Sequence, residues 1–168
     1  FPQQYRGISY GRAMSFQTTH LLDGAESFSY IVPTSAEAEL GDSWTATGFD
    51  DSAWNQVSNP QAAWAIGYSR GSAQQLLGPL IATDVMNEMR RVNSSLWIRQ
   101  TFPHPDFPSI SGLTLRIRHD DGFVAYVNGR KIAEAKAPSS LKWNSTATGI
   151  RSNEEVVSDV FEFHITDG

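Results

Sequence analysis

The chain has 168 residues, of which 40% are hydrophobic and 18% charged, and it carries a formal charge of -5 with no cysteine. This is the composition of an ordinary globular domain with extensions rather than of a disordered tract. The 13 basic residues are scattered, Arg90-Arg91 being the longest run, which argues against nucleic-acid binding, and without cysteine there is no thiol nucleophile, thiolate metal site or disulfide framework.

Residues 1–26 mix Gly, Arg, Gln and Thr without sustained periodicity and are expected to be an arm or connector from a preceding module. The sequence begins at Phe1 without a charged-then-apolar leader, as expected of a mature or excised fragment. The domain proper is expected over 27–168. Ser27 to Val32 (SFSYIV) predicts the first strand, closed by Pro33. In Asp42 to Trp54 (DSWTATGFDDSAW), Gly48 is a break and Asp50 or Asp51 is placed to cap a short helical turn. Asn59 to Val92 is irregular, with a helical turn expected in LIATDVMNEM. Leu96 to Phe102 (LWIRQTF) predicts a strand ended by Pro103, and His104 to Ser111 a rigid connection.

Leu113 to Glu134 (LTLRIRHDDGFVAYVNGRKIAE) is the richest stretch. Leu113, Leu115 and Ile117 alternate with polar residues, as in a strand buried on one face. Asp120-Asp121-Gly122 breaks that strand, and Phe123 to Val127 begins another. Asn128-Gly129 then predicts a type I′ turn, whose central residues both need φ > 0. A three-stranded meander follows from this reading. Lys136 to Glu155 is a second long polar loop, and Val156 to Thr166 contains the last strand, with Phe161, Phe163 and Ile165 on one side. Strands separated by long loops, with little helix, predict an all-β antiparallel sandwich.

The ordered series SWTATGFDDSAW, AIGYS, SLWIRQTF and LRIRHDDGFVAYVNGRKIAE resembles the galactose-binding-like jelly-roll domains that serve as accessory modules in large secreted bacterial multidomain proteins. The resemblance runs from about Phe28 to Thr166. It implies a jelly roll, a carbohydrate-binding role without catalysis, and a secreted or cell-surface setting beside other domains. The opening FPQQYRGISYGR resembles the exit of a preceding lamin-tail-like module. Domains of this kind continue beyond the last strand seen here with a further apolar strand. One sandwich strand is therefore expected to be missing, either because the chain is a shortened piece or because a second chain or swapped segment fills its place.

Two site candidates stand out. His119-Asp120-Asp121-Gly122 resembles the paired-Asp turn of protective-antigen-type lectin domains, which would make Asp120 and Asp121 ligands of a Ca²⁺ bridging protein and sugar. The alternative is an Asp that shapes the turn by accepting backbone amides, its neighbour facing solvent or pairing with Arg116 or Arg118. The second candidate is aromatic: Trp64, Tyr68 and Trp143 lie in irregular polar segments, where an exposed ring stacks on a pyranose while Arg70 binds its hydroxyls. Their alternative role is to cover the ends of the sandwich, and packing is the expected role of Trp44, Trp54 and Trp97.

An enzyme is not expected. His20, His104, His119 and His164 show no metal-ligand spacing, no GxSxG elbow is present, and nothing places Asp50-Asp51 across a cleft from Asp120-Asp121. The expected function is a lectin-like accessory module for a polysaccharide or glycan, the alternative being a structural or interaction domain that braces neighbouring modules. No nucleic acid partner is expected, and no apolar stretch approaches the roughly 18 to 20 residues of a membrane-spanning helix.

Overall fold

The structure, a computed structural model, describes residues 18–22, 27–58, 65–102 and 112–165. The described chain is strand-rich, with several antiparallel sheets and few, short helices. Strand β1 (Phe28–Ile31) lies between β2 (Asn55–Val57) and β5 (Trp97–Arg99), antiparallel to both. Its alternation divides the sheet into two different faces. Phe28 and Tyr30 point to a core built with Val85, against which Val57, Ile66, Met89 and Leu96 pack. Full burial of such side chains stabilises by about 1.5 to 3 kcal/mol each.

The opposite face of β1 carries Ser29 and Ile31, beside Arg99 and Trp97 of β5. Here the DSWTATGFDDSAW segment folds down. Trp44 stacks on Trp97 with ring centroids 4.8 Å apart and planes 9° from parallel, and Trp54 tilts against both rings. Arg99 fastens the segment: its guanidinium donates to the carbonyls of Trp44 and Ala46, pairs with Asp51 and lies over the Phe49 ring. These three tryptophans are therefore packing residues. The turn expected near Asp50 is present, with the Asp50 carboxylate accepting from the Ser52 amide and Trp54 N–H donating to the Asp51 carbonyl.

The irregular stretch 59–92 holds more structure than its sequence predicts among its described residues. Strands β3 (Ile66–Gly67) and β4 (Thr83–Asp84) pair in parallel, and α1 (Gln74–Leu77) and α2 (Met86–Met89) are single turns. The rigid connection His104 to Ser111 lies outside the described residues.

The predicted meander needs correction. Strands β6 (Leu113–Ile117), β7 (Phe123–Val127) and β8 (Arg130–Ala135) form where expected, but β6 pairs with β9 (Phe161–Ile165) rather than with β7. Side-chain complementarity accounts for the choice. Leu113, Leu115 and Ile117 lie opposite Ile165, Phe163 and Phe161, while Arg116 pairs with Glu162 at 2.8 Å and Thr114 bonds His164 at 3.1 Å on the other face. Every cross-strand pair matches its partner's character. The hairpin β7–β8 turns at Asn128-Gly129 with φ of 50° and 80°, as the dipeptide requires. Gly129→Val is expected to cost about 1 to 2 kcal/mol through the left-handed backbone, which a thermal melt reads as a fall of about 2 to 8 °C for a domain of this size.

The loop 136–155 is likewise not wholly loop. Helix α3 (Asn153–Ser158) starts within it, held by a capping box in which the Ser152 hydroxyl accepts from Glu155 N–H and the Glu155 carboxylate accepts from Ser152 N–H.

Both side-chain polar atoms of Gln100, just beyond β5, are buried without a hydrogen-bond partner among the described residues. No described helix is long and apolar enough to cross a membrane.

Candidate functional site at the acidic turn

The turn between β6 and β7 is held from outside itself. Arg151, whose side chain is only 4% exposed, donates from Nη1 to the His119 carbonyl at 2.6 Å and from Nη2 to the Glu155 carbonyl at 2.9 Å. Nη2 also reaches Asp159 at 3.3 Å, and the guanidinium covers the Phe161 ring at 4.7 Å. The Arg151 backbone N–H donates to the Asp121 carboxylate at 2.7 Å. One residue thus joins the end of β6, the acidic turn, α3 and β9. These bonds draw the chain after β6 away from a tight hairpin, in keeping with the pairing of β6 to β9.

Gly122 is pressed onto the end of β8. A Cβ there would sit 2.8 Å from the Lys136 carbonyl oxygen and 3.0 Å from that of Ala135, both backbone atoms with little room to yield. The Lys136 carbonyl also accepts from Thr148 N–H at 2.8 Å, and Lys136 Nζ donates to the Ile150 carbonyl. The loop after β8 is therefore sewn to the acidic turn at residues 148–151.

The two carboxylates have different surroundings. Asp121 is half-buried and shapes the turn, as the structural alternative expects of one of the pair. Asp120 is an exposed residue whose carboxyl is raised by partial desolvation and by the negative charge of Asp121 beside it. Arg116, considered as a partner for them, is instead paired with Glu162. The pair thus presents an incompletely neutralised negative charge at the mouth of the turn. Among the described residues no group of three or more His, Cys, Asp or Glu side chains gathers as for a metal ion. A calcium ion at this pair would draw its remaining oxygens from backbone carbonyls, water or ligand, since it takes six to eight.

His119 closes the turn from below. Its ring lies against Phe123 and Phe161 at 4.7 and 5.0 Å, Nδ1–H donates to the Asp121 carbonyl at 3.0 Å, and Nε2 is buried without a partner. Burial lowers its pKa, and the nearby Arg151 and Lys136 charges act the same way against the opposing pull of the Asp121 carbonyl and carboxylate. A lowered folded-state value means that the unfolded chain binds the proton more readily. Stability from His119 is therefore present above about pH 6.5 and falls as the medium is acidified through the folded pKa. Asp120 acts in the opposite sense, contributing favourably only when protonated and losing that contribution as pH rises through its raised folded value. His119→Phe is expected to flatten the fall in melting temperature between about pH 7 and pH 5. A wild-type slope persisting in that variant would remove His119 as its source.

The remaining predicted residues are not brought to this turn as a group. Trp143 is half-buried in the loop after β8, with its carbonyl accepting from Asn93 Nδ2 at 3.2 Å. Tyr68 is half-buried and Arg70 exposed, both between β3 and α1. Tyr68 and Trp143 share no ring contact among the described residues, and Trp64 lies outside them. Arg151 was not legible as a site residue: nothing in GIRS marks a partner thirty residues upstream, although the following Ser152-Asn-Glu-Glu155 is a capping signature.

No family model, curated protein or solved structure matches this chain. The functional reading therefore rests on the residues and their geometry.

Proposed function

We propose that this domain is a non-catalytic carbohydrate-binding module of galactose-binding-like jelly-roll type, one unit of a larger secreted or cell-surface protein, with Asp120 and Asp121 holding a Ca²⁺ that bridges to sugar hydroxyls. The observation that carries the reading is the pair of adjacent carboxylates on a braced turn, Asp121 held by Arg151 N–H and Asp120 exposed beside it. A hard cation relieves the repulsion between them and accepts neutral hydroxyl oxygens in its open positions. Trp143 and Tyr68 offer partly exposed ring surface for stacking, with Arg70 as a hydroxyl partner beside Tyr68. A glycan array probed with calcium and again with chelator tests this: binding to a defined glycan class that the chelator removes is expected. A folded protein that binds nothing on the array in either condition overturns it.

A second reading, a structural or interaction domain, draws support from the open edge of β5. Among the described residues β5 pairs only with β1, so a strand supplied by another segment or chain has an edge to join. Concentration-dependent association in sedimentation runs, without glycan binding, favours that reading; a monomer that binds glycan removes it.

A further inference from the structure

The polar end of the β1 sheet face forms a small pocket of its own. Cross-strand register places Ser29 beside Gln56 of β2 and Arg99 of β5, all on the face opposite the Phe28–Tyr30 core. Ser27 and Thr101, each two residues from Ser29 or Arg99 and just outside β1 and β5, border the space at this end of the face. The tryptophan cluster covers the Trp97 end of this face, and the other end is left as a pocket of about 160 Å³ lined by Ser27, Phe28, Ser29, Asp51, Gln56 and Thr101.

The bonding inside this pocket is one-sided. Ser29 is 3% exposed and gives its hydroxyl to Asp51 Oδ2, which also takes Arg99 Nε at 3.3 Å. Gln56 Nε2 is occupied by the Asp51 carbonyl at 2.8 Å and the Trp54 carbonyl at 3.3 Å. What remains uncommitted among the described residues is Asp51 Oδ1, Gln56 Oε1 and the hydroxyls of Ser27 and Thr101. Two of these groups only accept, and two both donate and accept. The complement is a ligand rich in hydroxyl donors.

Charge narrows the class further. The Asp51 carboxylate is already paired with Arg99, so the pocket as a whole is close to neutral and gives a free cation little Coulombic advantage. We propose that this pocket is a binding subsite for a neutral polyol, namely the vicinal hydroxyls of one sugar ring, independent of calcium. The pocket, about 160 Å³ and open to solvent, admits part of a single ring rather than a chain. Its ligand class agrees with the carbohydrate-binding reading, while its position, on β1, β2 and β5, owes nothing to the acidic turn.

Amide chemical-shift titrations of the full chain in the presence of chelator, with D-galactose, D-glucose and D-mannose as separate probes, test the subsite. Saturable shifts at Ser27, Ser29, Asp51, Gln56 and Thr101 are expected, with a dissociation constant in the range of about 1 to 100 mM. The double variant Ser27→Ala, Thr101→Val removes two hydroxyls while leaving the Ser29–Asp51–Arg99 bonds in place, and is expected to weaken binding about tenfold. Its unchanged spectrum elsewhere verifies the fold. Silence at these amides with all three sugars, shifts that sodium or ammonium chloride reproduces without sugar, or shifts unaffected by the double variant each overturn the subsite. Sugar shifts confined to the acidic turn and appearing only with calcium support the calcium reading and overturn this one, whereas chelator-resistant shifts in the β1 pocket do the reverse.

Discussion

Arg151→Met is expected to lower the melting temperature by roughly 10 °C, from a loss of about 3 to 5 kcal/mol. The loss comes mainly from the carbonyls. Asp159 is 48% exposed, so its ion pair with Arg151 is screened and worth little on its own. The His119 and Glu155 carbonyls, by contrast, each lose a charged donor, and the bond at His119 is buried. Hydrogen bonds to a charged group contribute about 1.5 to 3 kcal/mol each, and leaving a buried acceptor bare adds to the cost. Methionine keeps a long apolar stem over Phe161, which separates hydrogen bonding from packing. Arg151→Lys retains the charge but not the planar fork that reaches two carbonyls at once, so it is expected to recover only part of the loss. The control is Arg116→Met. Its pair with Glu162 is 62% and 45% exposed, and removal should cost no more than about 1 kcal/mol. Equal melting temperatures for the two methionine variants would show that Arg151 does not brace the turn.

The part of this fold legible in the sequence is the part governed by neighbours along the chain. The alternation of Phe28 and Tyr30 with Ser29, the apolar positions of β6, and the Asn128-Gly129 turn each depend on local rules, and each forms where it is expected. The pairing of β6 was not legible, because alternation marks a strand without naming its partner. Arg116 and Leu115 suit a neighbouring strand as readily in sequence as they suit Glu162 and Phe163, which come more than forty residues later. Two capping boxes are written in the chain, Thr34 to Glu37 in a stretch given no element and Ser152 to Glu155 at the end of a stretch read as loop. At the acidic turn the sequence placed both carboxylates but not their division of labour. That division depends on Arg151 N–H, which lies thirty residues along the chain from Asp121 and is invisible to spacing. The aromatic candidates show the same limit: a polar context puts Tyr68 and Trp143 in loops, yet only the fold decides that their rings make no contact with each other.

Calcium at about 10 mM is expected to raise the melting temperature of the wild-type chain, by about 5 to 10 °C if the site binds in the range of about 0.1 mM usual for weak extracellular modules. At one hundred times the dissociation constant the linkage amounts to about 2.7 kcal/mol. The two aspartates are predicted to respond differently to substitution. Asp120→Asn removes the charge that Asp121 opposes, so without calcium the variant should melt at or slightly above the wild-type temperature, while the calcium-induced rise disappears. Asp121→Ala loses the acceptor for Arg151 N–H and should melt about 3 to 10 °C lower with or without calcium, from about 1 to 3 kcal/mol for the unpaired amide. Asp121→Asn separates the two functions of that residue, because its amide oxygen still accepts from Arg151 N–H but carries no charge for a cation. It should therefore keep near-normal stability and lose most of the calcium response. Magnesium is the selectivity control, since it requires a tighter octahedron than a turn with two carboxylates supplies and should shift the wild type little. A wild-type melting temperature indifferent to calcium would leave Asp120-Asp121 as a turn-shaping pair and transfer any sugar binding to the β1 pocket or the loop aromatics. A calcium rise that survives Asp120→Asn would place the ion elsewhere on the chain.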